Sequence, residues 1–73
     1  MSRIKIDTNH YAMDHGHQPR GVGMWAFFFS YDDYHSPNYT EKALWVTGSY
    51  LFARTQAERV ARRRGASVII VGS

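Results

Sequence analysis

The chain contains no cysteine, which excludes disulfide staples and thiolate metal sites. No apolar run approaches the roughly 20 residues needed to cross a bilayer, so no membrane span is expected. The opening Met1-Ser2-Arg3-Ile4-Lys5-Ile6 starts like a strand and lacks the long apolar centre of a secretion signal. Together these absences set the expectation of a cytoplasmic protein. Proline is scarce as well, with two residues, Pro19 and Pro37, each in a turn-rich stretch. Internal repeats and low-complexity tracts are missing.

What remains is short and aromatic. At 73 residues there is room for one domain, spanning 1–73, with one small core. A chain of this size buries only about 60% of its unfolded surface. Histidine and carboxylate sites or oligomerisation are the compensations left open. Aromatic residues make up 15% of the chain, so a few large rings are expected to dominate the core. The net charge of +3 conceals an asymmetry. Residues 1–49 balance to −1, whereas residues 50–73 carry Arg54, Arg59, Arg62, Arg63 and Arg64 against Glu58 alone, a balance of +4. An electrostatic partner is expected at that arginine-rich element.

Periodicity assigns the elements. Arg3 to Asp7 alternates polar and apolar residues and reads as a short strand. Thr8 to Gly23 has no sustained period and reads as a loop of about 16 residues, anchored by Tyr11 and Met13; loops of that length in small domains are usually functional or disordered. Met24 to Tyr31 is a strand with Trp25, Phe27, Phe29 and Tyr31 on one face and Met24, Ala26, Phe28 and Ser30 on the other. Apolar residues on both faces point to a central strand or a second covering element. A turn-rich segment, residues 32–39, leads to a partner strand from Lys42 to Thr47, forming a β-hairpin with a long tip.

One helix is predicted from Tyr50 to Arg64. Either Thr47 or Ser49 supplies its amino-terminal cap, and Gly65 ends it. Tyr50, Ala53, Ala57, Val60 and Ala61 share one stripe, thin enough to let the helix lie close to large rings. Leu51 and Phe52 fall off that stripe. Ser67 to Gly72 is a β-branched run suited to a strand buried on both faces. A strand–helix–strand crossover over residues 42–72 would leave its two strands parallel. The expected fold is α+β: a three- or four-stranded mixed sheet with one helix on one face, in the order β-loop-β-β-α-β.

Chemistry-bearing residues gather in two places. His10, Asp14, His15 and His17, with His35 beyond, are metal-ligating types, but their spacing matches no structural zinc motif, and no metal or other cofactor is expected. Ser30, Ser36 and Ser49 lack the context that pairs a nucleophile with its base, so no enzyme is expected. The Pro19-Arg20-Gly21-Val22-Gly23 turn is followed by a strand and not by the helix that a phosphate loop requires. It reads as a turn or bulge leading into the sheet, with Arg20 stacking on a ring or pairing with Asp14. Arg20, His15 and His17 form a second candidate edge. The leading partner-binding residues are Arg54, Arg59, Arg62 and Arg63 on the helix, with Phe52, Tyr34 and Tyr39 as aromatic anchors. Glu58 stands at i,i+4 spacing from Arg54 and Arg62 and could neutralise part of that face.

Thr8-Asn9-His10-Tyr11 followed by His15-Gly16-x-x-Pro19-Arg20-Gly21-x-Gly23-x-Trp25-Ala26-Phe27 resembles small proteins of bacteriophages and prophages that have no assigned activity. The likeness extends more loosely to Thr47-Gly48-Ser49-Tyr50 and to the closing Val68-Ile69-Ile70-Val71-Gly72-Ser73. It implies a protein of the host-directed inhibitor kind, of which anti-CRISPR proteins are one example. No catalytic residue carries over. The expectation is a non-enzymatic interaction protein, monomer or homodimer, that binds a host protein or ribonucleoprotein complex. The alternative is a small nucleic-acid-binding module using the same arginine face.

Overall fold

The computed structural model describes residues 3–72; Met1, Ser2 and Ser73 lie outside them. Four strands, β1 (Lys5–Asp7), β2 (Val22–Phe28), β3 (Leu44–Ser49) and β4 (Val68–Gly72), form one mixed sheet in the order β1-β4-β2-β3. The fold is thus α+β and four-stranded, as the alternation and the β-branched run indicate. β2 pairs antiparallel with β3 and with β4, while β1 pairs parallel with β4. β3 and β4 therefore run parallel but are not neighbours, because β2 lies between them. The two central strands carry the apolar residues on both faces.

Helix α4 (Tyr50–Arg64) has the predicted bounds. Of the two candidate caps, Ser49 is the one used: its Oγ accepts the Phe52 N–H at 3.1 Å, satisfying a donor that has no partner within the helix. Gly65, at φ +70°, adopts the left-handed conformation that other residues reach only with strain. Ala53, Ala57 and Ala61 are fully buried and share one cluster with Trp25, Phe27, Phe29, Ile69 and Val71. Small side chains on the helix thus meet large ones on the sheet. Phe27 alone, fully buried, contributes about 1.5 to 3 kcal/mol of transfer free energy.

Four expectations are corrected. Residues 8–23 are not one loop, since Asn9–His15 forms helix α1, closed by Gly16. Its only buried residue is Tyr11, so it has no apolar stripe for periodicity to find. The segment is tied at both ends by Thr8 Oγ1 donating to Gln18 Oε1 at 2.7 Å. Met13 does not anchor it; its side chain is exposed.

The strand predicted through Tyr31 ends at Phe28. There Ser30 Oγ accepts the Asp33 N–H at 3.1 Å and starts a one-turn helix, α2 (Tyr31–Tyr34). Tyr31 consequently leaves the core face. A second such turn, α3 (Tyr39–Lys42), takes up Lys42 and delays β3 to Leu44. The apolar residues on both faces of β2 are matched by a second cover, as they indicate: Tyr34 and Ala43 pack against Ala26, Phe28, Ile70 and Val68. The hairpin tip folds back over the face opposite α4.

Candidate binding surfaces

The seven residues read from the sequence as one partner site are divided between the two faces of the sheet. The arginines and Phe52 lie on α4, whereas Tyr34 and Tyr39 belong to the hairpin tip on the opposite face.

On α4, Glu58 neutralises part of the arginine face, as its spacing indicates. Arg54 Nε stands 3.5 Å from Glu58 Oε1, and Arg62 Nη2 stands 3.8 Å from Glu58 Oε2. The Arg54 guanidinium also lies 5.8 Å from the centre of the Tyr50 ring. Burial pushes the Tyr50 hydroxyl above its ordinary value, against a weaker opposing effect of Arg54. Arg64 lies 5.0 Å over the Phe29 ring, a cation–π contact at the helix end. Arg59 and Arg63 are exposed and form no ion pair among the described residues. Phe52 and Leu51 are 53% and 64% exposed.

Phe52 has a structural account that its sequence position conceals. Gly48 has φ +142°, and a Cβ there would come within 3.1 Å of the Phe52 ring. The ring therefore lies over the glycine backbone, held by one edge with the other in solvent.

The second edge is dispersed. His15 stacks on Tyr11 at 4.1 Å between ring centres, His17 meets the same ring edge-on at 5.9 Å, and Nδ1 of His17 donates to the Gln18 carbonyl at 2.8 Å. His10 instead lies 4.7 Å from Tyr34, and His35 lies 6.2 Å from His10. The histidines thus dress two different tyrosines. Among the described residues, no group of three or more His, Asp or Glu side chains is placed to hold a metal ion. Arg20 makes no ion pair with Asp14 among those residues; it lines a shallow apolar depression with Pro19, Val22, Tyr50 and Leu51. The three serines weighed as nucleophiles each accept a backbone N–H, Ser30 from Asp33, Ser36 from Asn38 and Ser49 from Phe52.

A third surface was not singled out by sequence reasoning. On the face opposite α4, a groove of about 310 Å³ runs between α1, the hairpin tip and the strands. Ala26 and Phe28 of β2, Trp45 of β3 and Gly72 of β4 form its floor, with Tyr11, Asp14, Tyr34 and Tyr39 around it. Trp45 pairs across the strands with Ala26, is 43% exposed, and donates its indole N–H to the Thr40 carbonyl at 3.0 Å. Burial, then the charges of Asp14 and Asp7, push the Tyr34 hydroxyl above its ordinary value. The signal available in the sequence was the alternation that places Ala26 and Phe28 opposite Trp25 and Phe27.

Beneath the tip lies a polar tie. Asp7, buried at the end of β1, accepts the Tyr31 O–H at 2.6 Å and the Asn9 N–H at 2.9 Å. These two bonds, the tyrosine's first, hold its carboxyl below the ordinary value of 3.8. One carboxylate thereby joins β1, the start of α1 and the tip.

Fold and surfaces together describe a small α+β domain with an arginine-bearing helix on one side and an aromatic groove on the other. No protein-family model matches the chain, and neither the curated proteins nor the solved structures include one detectably similar to it. The resemblance to bacteriophage proteins is therefore accompanied by no matched relative. No helix among the described residues is long and apolar enough to cross a membrane.

Proposed function

We propose that this chain is a non-enzymatic interaction protein that docks, through the outer side of α4, on a host protein or ribonucleoprotein complex and modulates it. The observation that carries this reading is the exposed stripe of Phe52, Arg59 and Arg63. Spacings of seven and four residues bring the three side chains to one side of a helix. A half-exposed ring beside two guanidinium groups free of carboxylate partners has the composition of an interface hot spot. Arg54 and Arg62, which share Glu58, contribute less to an external partner. The host-directed context comes from the bacteriophage resemblance alone.

Affinity capture from host lysate at physiological salt tests the reading. The wild-type chain should retain one defined complex, and Phe52→Ala and the double variant Arg59→Glu, Arg63→Glu should each lose it while remaining folded by circular dichroism. Retention of that complex by both variants refutes the role of α4. A second reading, nucleic-acid binding, is favoured by the same free guanidinium groups. Labelled DNA or RNA bound with an affinity that falls steeply as salt rises would decide for it.

A further inference from the structure

The groove on the other face has its own chemical character, independent of α4. Its exposed rings are those of Tyr39 and Trp45, with the half-buried Tyr34 beside them and the buried Phe28 beneath, and among the described residues its one charged lining residue is the exposed Asp14. Phe28 and Tyr34 meet edge-on with centres 5.2 Å apart, and Tyr39 lies 6.4 Å from Phe28. Trp45 spends its only donor on Thr40 and so offers the groove π surface. Among the described residues no lysine or arginine lines it, because the arginine-rich helix packs on the opposite face of the sheet.

This combination selects by charge. Aromatic faces carry the negative part of the ring quadrupole, so a cation is attracted both by the rings and by Asp14. An anion would be repelled by both. The volume, about 310 Å³, falls at the small end of the range for ligand sites. Among organic cations, a primary ammonium or a guanidinium brings three to five N–H donors that must be satisfied. Among the described residues, the groove's side-chain acceptors are Asp14 and the tyrosine oxygens. A quaternary ammonium has no N–H and needs only apolar, electron-rich walls.

We propose that this groove binds a quaternary ammonium head, with its methyl groups against Tyr34, Tyr39 and Trp45 and its charge facing Asp14. The shared head group occurs on small cations such as choline and on trimethylated lysine, and the groove recognises that head.

The test is a titration of the whole chain followed by NMR, with the Trp45 indole N–H and the Asp14 amide as reporters. The probes are choline, a peptide carrying trimethyl-lysine, and 3,3-dimethylbutan-1-ol, which keeps the shape of choline without its charge. Saturable shifts at both reporters are expected with choline or the peptide, the tighter of the two naming the source. The neutral isostere should bind at least about fivefold more weakly. Asp14→Asn, at an exposed position, should weaken the cations and leave the isostere unchanged, whereas Trp45→Leu, followed at the Asp14 amide, should weaken the cations and the isostere together. Equal affinity for choline and its isostere, insensitivity to Asp14→Asn, or failure of every probe to saturate overturns the proposal.

Discussion

Replacing Ala57 by leucine tests the claim that α4 lies at alanine distance from the sheet. Ala57 is fully buried in the cluster that holds Trp25 and Phe27. Leucine is nearly as good a helix former and adds apolar surface, so helix propensity and transfer free energy alone predict no loss. Close packing predicts the opposite, because extra volume in a filled core forces rotamer and backbone shifts costing about 1 to 3 kcal/mol. A chain of 73 residues has a total stability of about 4 to 11 kcal/mol at the usual increment per residue, so this is a substantial fraction. At about 4 to 8 °C per kcal/mol for a domain of this size, the melting temperature should fall by about 4 to 24 °C. Thermal unfolding followed by far-ultraviolet circular dichroism measures it, with Thr55→Leu on the exposed side of α4 as control, expected within about 0.5 kcal/mol of wild type. An Ala57→Leu chain as stable as wild type would mean that the helix stands off the sheet and that the alanine stripe is incidental.

Two further outcomes follow from the polar ties. The folded-state pKa of Asp7 is depressed, so its contribution is fully present above the unfolded value and is lost as pH falls through the folded one. The urea midpoint should therefore decline as acid is added below the ordinary carboxylate value of 3.8. In Tyr31→Phe the Asp7 pKa, read by NMR, should rise and the acid-dependent decline should shrink; an unchanged pKa would sever the link between tip and strand. Ser49→Ala removes the acceptor for the Phe52 N–H and should destabilise the chain by about 1 kcal/mol, measured by urea denaturation, whereas Ser49→Asp should restore the loss.

The parts legible in the sequence are those whose signals are local. Ser49, the alanine spacing and Gly65 mark α4 within its own residues, and Val68 to Val71 announce a buried strand by composition. Helix α1 escaped because Tyr11 is the only side chain it buries, so periodicity had nothing to register. The strand shift at Leu44 has the same origin, two one-turn helices too short to carry a pattern. The groove was invisible for a different reason. It assembles Asp14, Phe28, Tyr34, Tyr39 and Trp45 from five separate elements, and only the strand order β1-β4-β2-β3 brings them together. Tyr34 lies apart from the arginines because sequence says nothing about which face of the sheet the tip covers.

That strand order also dictates when the molecule can become itself. β4, the last strand along the chain, lies between β1 and β2, and β1 has no other neighbour in the sheet. As the chain emerges in order from a ribosome, β2, β3 and α4 can begin to associate, but β1 must wait, unpaired, until residues 68–72 arrive. Pairing at such sequence separation slows folding, and an exposed unpaired strand is a hazard while it lasts. The brevity of β1, three residues with lysine and aspartate at its ends, keeps that waiting strand polar and a poor template for other chains.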